Sequence, residues 1–444
     1  MGVALTNPGG PGGSGVRLSR LGGWIPNGVG DRFDWIGFDP RGVGQSKPAL
    51  TCSKTFPGGD DRPNYVPHRA ADKRYWRTQT AKYAAACGRS AVAKIGLLNH
   101  LKTKDSVADM ESIRKALGVK KISYYGFSYG TYLGQVYATK NPTRVDRFVF
   151  DGNVNPGKVW YQANLGQNVA FDLNMDRYWK YLAKNPDAYK LGTDWRAIKR
   201  GYYALLKKLD RKPAYQGKLG PDELSDAMLG AGYYVYGWVE TGLAYSKLAR
   251  GKGGKAVYDM YGGGGLGDDN GYAMYNATQC TDVQWPKSWD RWERDAWRQH
   301  SKHPFLTWGN TWYNAPCLNW KAKAGTPTKV TGRNVKSKIL LISETFDAAT
   351  PYSGSLAVRR LFPTASLIEG VNGTTHSGSL SGVPCTDNTV ARYLATGQVP
   401  KRLAGSRSDK KCRPVPAPQP GATLARPGIP AEDRAALLGT IPGL

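Results

Sequence analysis

The stretch KISYYGFSYGTYLG, residues 121–134, carries β-branched and aromatic residues up to a glycine. Ser128 follows, then a second glycine, then a run compatible with helix. Gly126 and Gly130 stand two residues to either side of the serine, the G-x-S-x-G pattern of a nucleophile elbow. Such a strand-to-helix turn is tight, so the residues two before and two after must lack bulk. The hydroxyl then projects above the sheet, and the helix N-terminus behind it supplies positive potential for an oxyanion. The pentapeptide alone decides little, because Gly and Ser abound in turns. Its place between a strand and a helix gives it weight.

Outward from this turn, the first third of the chain alternates strand and helix. Residues 3–7, 34–39, 121–127 and 145–151 read as strands. Between the second and third lies a helix over 103–119, with Ser106 and Asp109 as a capping pair, Met110, Ile113 and Leu117 on one face, and Gly118 as its stop. This rhythm implies an α/β architecture: a mostly parallel sheet with helices on both faces. Residues 157–325 differ. They are rich in Trp and Tyr, read as several helices, contain a glycine-rich loop at 262–270, and are expected to form an inserted helical cap. Strands return at 338–344 and 365–369 with a helix at 352–361 between them. The expected division is a first core part at 1–156, the cap at 157–325, a second core part at 326–412 and a Pro-rich tail at 413–444, extended along the surface.

Composition excludes several classes. The chain has 444 residues, 40% hydrophobic and 22% charged, which places it among globular proteins. No apolar run is long enough to span a membrane. Met1 is followed at once by GVALTNPGGPGGSG, which reads as strand and loop, not as a signal peptide. The formal net charge is +28, from 62 Lys and Arg against 34 Asp and Glu. These cations are scattered, and no zinc-finger, KH or RRM signature accompanies them, so nucleic acid is not the expected partner. Solubility or attraction to anionic cell-wall polymers accounts for the charge. The six cysteines, Cys52, Cys87, Cys280, Cys317, Cys385 and Cys412, include no C-x-x-C. An even, widely spaced set suggests disulfides and an oxidising compartment. Pairing in sequence order would close three local loops.

A serine hydroxyl needs a base. Five histidines are available: His68, His100, His300, His303 and His376. After an elbow of this kind the order is serine, acid, histidine. His300 and His303 fall on a polar, exposed helix end of the cap. His376 lies in EGVNGTTHSGSL, a loop just after the last expected strand, where a base can swing over the sheet edge. The acid must follow a strand. Asp347 in LLISETFDAATP does so; Asp151 is the rival, and Glu344 falls on the strand itself. The oxyanion needs two backbone N–H donors, one from Tyr129 and the other from the glycine loop NPGGPGGSG at 7–15, where Gly10 is the expected donor. That loop lacks the G-K-[ST] ending of a phosphate loop.

NPGGPGGSG, GFDPRGVGQS, YYGFSYGTYLG, DGNVNP and ETFDAATPYSG together resemble the secreted actinobacterial tripeptidyl aminopeptidases, α/β-hydrolases related to prolyl aminopeptidases. The resemblance covers nearly the whole chain. It implies the α/β-hydrolase fold and a serine exopeptidase that releases short peptides, tripeptide-like, from free N-termini through an acyl-enzyme on Ser128. It further implies the triad Ser128, Asp347 and His376, and an exported, disulfide-bonded protein. The family usually carries an export signal and further strands before the glycine loop, whereas the numbered chain starts at that loop's own strand. An N-terminally shortened form lacking the export signal is therefore expected. Members with this loop include other peptidases and amide or ester hydrolases. The alternative is an amide or ester hydrolase, or an acyl transferase, acting on a non-peptide substrate.

An aminopeptidase must recognise an ammonium group, and an acid in the cap would do so. Glu240, among aromatics in YGWVETGLAY, is the first candidate and Asp282 the second. No H-E-x-x-H and no dinucleotide fingerprint after a strand occur, so no metal and no cofactor are expected. The expected partner is a peptide or an amide or ester substrate, and the sequence is silent on oligomeric state. A non-catalytic binding protein is the contrasting class, but folding does not demand a serine, an acid and a histidine in these three loops.

Overall fold

The computed structural model describes residues 2–56, 59–60, 62–262 and 269–421. Seven strands form one sheet: β1 (Gly2–Asn7), β2 (Phe33–Gly37), β3 (Ile122–Phe127), β4 (Val145–Asp151), β5 (Ile339–Glu344), β6 (Ala365–Gly370) and β7 (Lys410–Cys412). Their order is β2-β1-β3-β4-β5-β6-β7, and every neighbouring pair is parallel. β3 and β5 are buried along their whole length, as strands covered on both faces must be. Alternate side chains serve opposite cores. Tyr124, Phe148 and Phe150 meet Val107, Met110, Leu133 and Val136 on one face. Tyr125, Phe127 and Val149 meet Val390, Ala391 and Leu394 on the other.

Strand order reverses direction between β1 and β3. In open α/β sheets ligands bind outside the carboxyl ends of the strands at such a switch point. Asn7 pairs with Gly126 there, so the glycine loop after β1 and the elbow after β3 emerge side by side.

Two local expectations are corrected. The helix Thr103–Ala116 is not capped by Ser106 and Asp109. Asp105 accepts the Lys102 N–H at 3.2 Å, while Asp109 accepts Arg41 Nε at 2.6 Å. β7 carries no strand signal of its own, because LysLysCys shows no apolar alternation; it forms by pairing Lys410–Cys412 with Ile368–Gly370.

Between β4 and β5 the chain builds a long helical segment with two cores. The helices Tyr161–Lys184, Trp195–Arg211, Pro221–Tyr233 and Trp238–Ala249 enclose Tyr178, Trp179, Tyr202, Trp238 and Tyr245. The helices Asn270–Asp282, Trp289–His300 and Thr307–Asn314 instead share a core with Trp76 and Tyr83 of the helix Ala70–Cys87. Of the glycine-rich loop at 262–270, residues 263–268 lie outside the described residues, as do residues 422–444 of the Pro-rich tail. The described part of that tail is not simply a surface strap. Val415 is buried in the cap core, and Tyr181 donates its hydroxyl to the Pro418 carbonyl.

Three disulfides, Cys52–Cys87, Cys280–Cys317 and Cys385–Cys412, pair the cysteines in sequence order. They close loops of 35, 37 and 27 residues. Each such closure removes roughly 4 kcal/mol of unfolded-chain entropy. Among the described residues no helix is long and apolar enough to cross a membrane.

Candidate active site

Ser128 sits between β3 and the helix Tyr129–Lys140 with φ 54° and ψ −125°. A non-glycine residue held there stores about 1–3 kcal/mol of strain, which the surrounding bonds must hold in place. Its N–H donates to the Asp151 carbonyl at 2.9 Å, and its carbonyl accepts from Thr131 Oγ1 at 2.6 Å. A Cβ on Gly126 would lie 2.6 Å from the Gly130 carbonyl oxygen, and one on Gly130 would lie 2.6 Å from that of Asn7. Backbone therefore touches backbone on both sides of the serine, and only glycine fits.

The glycine loop closes over this turn. Gly9 has φ +104°, and a Cβ there would come within 2.7 Å of the Phe127 carbonyl oxygen and 2.8 Å of Ser128 Cβ. The Asn7 side chain accepts the Gly9 N–H at 3.0 Å and fixes the entry to the loop. The Tyr129 N–H is the first of its helix and has no intrahelical acceptor. Gly10 and Tyr129 both line the cavity into which Ser128 opens.

His376 and Asp347 meet at the far side of the elbow. His376 Nδ1 lies 2.8 Å from Asp347 Oδ2 and 3.0 Å from Oδ1. Asp347 also accepts the N–H groups of Ala349 and Thr350, each at 2.9 Å, and the Thr350 hydroxyl at 2.8 Å. A carboxylate so saturated with donors obliges Nδ1 to carry a proton. Nε2 is then the lone-pair nitrogen. It is buried and has no hydrogen-bond partner among the described residues, although the ring lines the same cavity as Ser128. The His376 N–H donates to the Tyr233 carbonyl at 2.8 Å, and the Tyr233 ring stands 5.9 Å from the imidazole. Ser128 Oγ and His376 Nε2 do not hydrogen-bond to each other, and bonds of this kind tighten in the Michaelis or transition-state complex. An elbow serine and an oriented imidazole on one cavity, with the Tyr129 N–H at the helix start beside them, are the parts an acyl-transfer reaction needs.

The rivals lie elsewhere. Asp151 is buried beneath the elbow and accepts from the N–H and hydroxyl of Ser379 at 2.8 and 2.5 Å. Glu344 takes the N–H groups of Thr375 and Val415, each at 2.6 Å. His300 and His303 do not line the cavity, and they are half-buried, not exposed as expected. Burial and His68 push His300 down to about 4.

The sequence profile of the alpha/beta hydrolase fold family matches residues 5–381. The chain belongs to this family. It is 37% identical over 433 residues to a tripeptidyl aminopeptidase of Streptomyces lividans, covering 94% of this chain and 78% of the relative. It is 29% identical to the serine protease Hip1 of Mycobacterium tuberculosis, covering 90% of this chain and 80% of that protein. It is 30% identical to a carboxylesterase B of the same species, covering 90% and 78%.

Within this hydrolase the two acids expected to meet an ammonium group are both displaced from the cavity. Glu240 lies on an exposed helix face. Asp282 is buried behind the cavity wall, where it accepts from Thr103 Oγ1 at 2.6 Å and from Trp160 Nε1 at 3.1 Å. Burial raises its carboxyl to about 6 against those donors. Among the described residues lining the cavity of about 470 Å³, the one carboxylate is Asp226. Nothing in the sequence marks it, because its significance lies in which helix face turns inward. Thr350 was also missed, although Asp-x-x-Thr after a strand carries the signal of a side chain bonding its own turn.

Proposed function

We propose that the protein is a secreted serine exopeptidase that releases short peptides from free N-termini. Ser128 Oγ attacks the scissile carbonyl while His376 Nε2 takes its proton. The tetrahedral oxyanion accepts from the N–H groups of Gly10 and Tyr129. The C–N bond then breaks, His376 returns the proton to the leaving amine, and the peptide remains as an ester on Ser128. Water, deprotonated by His376, attacks that ester and frees both peptide and serine. Asp347 holds the proton on Nδ1 throughout and stabilises the imidazolium. The observation that carries this reading is the buried, unpartnered Nε2 in the cavity that Ser128 opens into. The tripeptidyl aminopeptidase and serine protease relatives support peptide as the substrate. Three disulfides support export.

The second reading is ester or amide hydrolysis by the same groups, favoured by the carboxylesterase relative. A substrate panel separates the two: a free-amine tripeptide anilide, its N-acetylated twin, a single-residue anilide and a short-chain ester, with wild type and Ser128→Ala. Cleavage of the free-amine tripeptide, abolished in Ser128→Ala, is the expected result. Ester cleavage alone, or equal rates on the blocked twin, would replace the exopeptidase reading with the second.

A further inference from the structure

The cap helix Pro221–Tyr233 runs along the cavity and turns Asp226, Leu229 and Tyr233 into it. These positions are i, i+3 and i+7, one helical face. Tyr233 is the end nearest the chemistry, because its carbonyl holds the His376 N–H. Seven residues of helix put Asp226 about 10.5 Å further along the axis, rotated only about 20° from the same line.

Asp226 belongs to a charged group in the cavity wall. It accepts from Arg62 Nη2 at 2.7 Å and from the Tyr65 hydroxyl at 3.0 Å. Arg62 also donates from Nε to Glu223 at 2.9 Å. Asp222 takes the Tyr65 N–H at 2.8 Å, and its other oxygen, Oδ2, is buried without a partner. Glu223 and Asp226 thus share one guanidinium, with Asp222 close enough to feel its charge, and the three carboxyls together carry an excess of negative charge when ionised. A buried excess of that sign is relieved either by a proton, and burial pushes the Asp222 and Asp226 carboxyls up against the pull of Arg62, or by a further cation that takes the proton's place. Glu223 is fully buried and Asp222 nearly so, whereas Asp226 keeps 12% of its side chain exposed and lines the cavity. A cation entering from the cavity therefore meets Asp226.

We propose that Asp226, braced by Arg62 and Tyr65, receives the α-ammonium of the substrate, and that the two helical turns from Asp226 to Tyr233 set the released peptide at three residues. An extended chain advances about 3.3–3.6 Å per residue, so three residues span about 10–11 Å, two about 7 Å and four about 14 Å. Only the first matches the spacing along the helix. This assignment rests on the aminopeptidase reading above.

The test uses the full chain and p-nitroanilides of two, three and four alanines, each with a free and an acetylated N-terminus. The readout is the ratio of kcat/KM for the free and blocked forms, in which any loss of active protein cancels. In wild type the ratio should peak at three residues. In Asp226→Asn the ratio at three residues should fall on the order of 100-fold, the scale set by removing one partner of a desolvated charge pair. A ratio unchanged in Asp226→Asn would overturn the assignment of the ammonium site. A wild-type peak at two or four residues would overturn the helix as a ruler, whether or not the variant folds. Equal rates on free and blocked substrates in wild type would remove the aminopeptidase reading itself, before any variant is made, and this proposal with it.

Discussion

His376 has two ring nitrogens, and the fold treats them differently. Nδ1 is fixed by a carboxylate that itself accepts three further hydrogen bonds from Ala349 and Thr350, while Nε2 is left buried and unpartnered. That asymmetry predicts the outcome of Asp347→Asn. The amide oxygen can keep the N–H groups of Ala349 and Thr350, but its NH2 then faces Nδ1. The imidazole proton moves to Nε2, and the ring can no longer take the serine's proton. We expect kcat to fall on the order of 10³–10⁴-fold with little change in KM and in melting temperature. A loss below about tenfold in stopped-assay kinetics would show that another group orients the imidazole. Asp347 was legible in sequence because an acid after the penultimate expected strand is a topological position, and Asp151 was a fair rival on that ground. What separates them is Ser379, which occupies Asp151 from below. Asp226 was not legible, since no pattern of residue types says which acid of a cap helix faces a cavity. Glu240 has aromatic neighbours in sequence, but those aromatics pack into the cap's own core: Trp238 and Tyr245 are buried there while Glu240 stays outside.

At the scale of elements, the site exists because two strand ends at the sheet's switch point are packed without side chains between them. The loop after β1 lies on the turn after β3, and Gly9 is the point of closest approach. Gly9→Ala would face both a left-handed backbone and contacts under 3 Å with Phe127 and Ser128. We expect a cost of about 2 kcal/mol or more and a large drop in kcat, because relief of the clash must move either the elbow or the Gly10 N–H. Gly23→Ala is the control: nothing lies within 4 Å of a Cβ there, and the residue is exposed. Equal activity and melting temperature in the two variants would contradict this account of the loop. The strands themselves were readable from their apolar runs, six of seven within a residue or two of their bounds. β7 escaped because its identity depends on a neighbour, not on its own LysLysCys. The helix Thr103–Ala116 was readable from its apolar face, but its start was set by Asp105 and by Asp282, which takes the Thr103 N–H at 2.7 Å from far along the chain.

Over the whole molecule, what the sequence hid was which core each aromatic joins. Fourteen tryptophans announce a large buried interior, yet Trp179 and Trp238 serve the cap while Trp285, Trp292, Trp308 and Trp312 serve the main core. Periodicity ranks positions along a helix and is blind to the partner that covers them. The parts are joined at Glu344. It ends β5, accepts the N–H of Thr375 beside His376, and accepts the N–H of Val415, whose side chain enters the cap core. Burial pushes this carboxyl up to about 8, against the pull of those two N–H groups and with the added repulsion of Asp347 and Asp151. Its ordinary value is 4.5, so the native state holds a proton that the unfolded chain releases. The sign follows: the contribution of Glu344 to stability is full below about 4.5 and is lost as pH rises to about 8. Glu344→Gln keeps a neutral side chain at every pH but presents an NH2 to one of the two backbone donors, so it should melt lower than wild type in acid. The gap should then close by several degrees between pH 5 and pH 8, because only wild type loses stability through this group. Other titrating groups, Asp282 and His300 among them, are common to both proteins and cancel in the difference. Calorimetric melting curves at three or four pH values across that window would decide it. Parallel curves would mean that Glu344 is ionised in the native state, with the two N–H donors outweighing its burial.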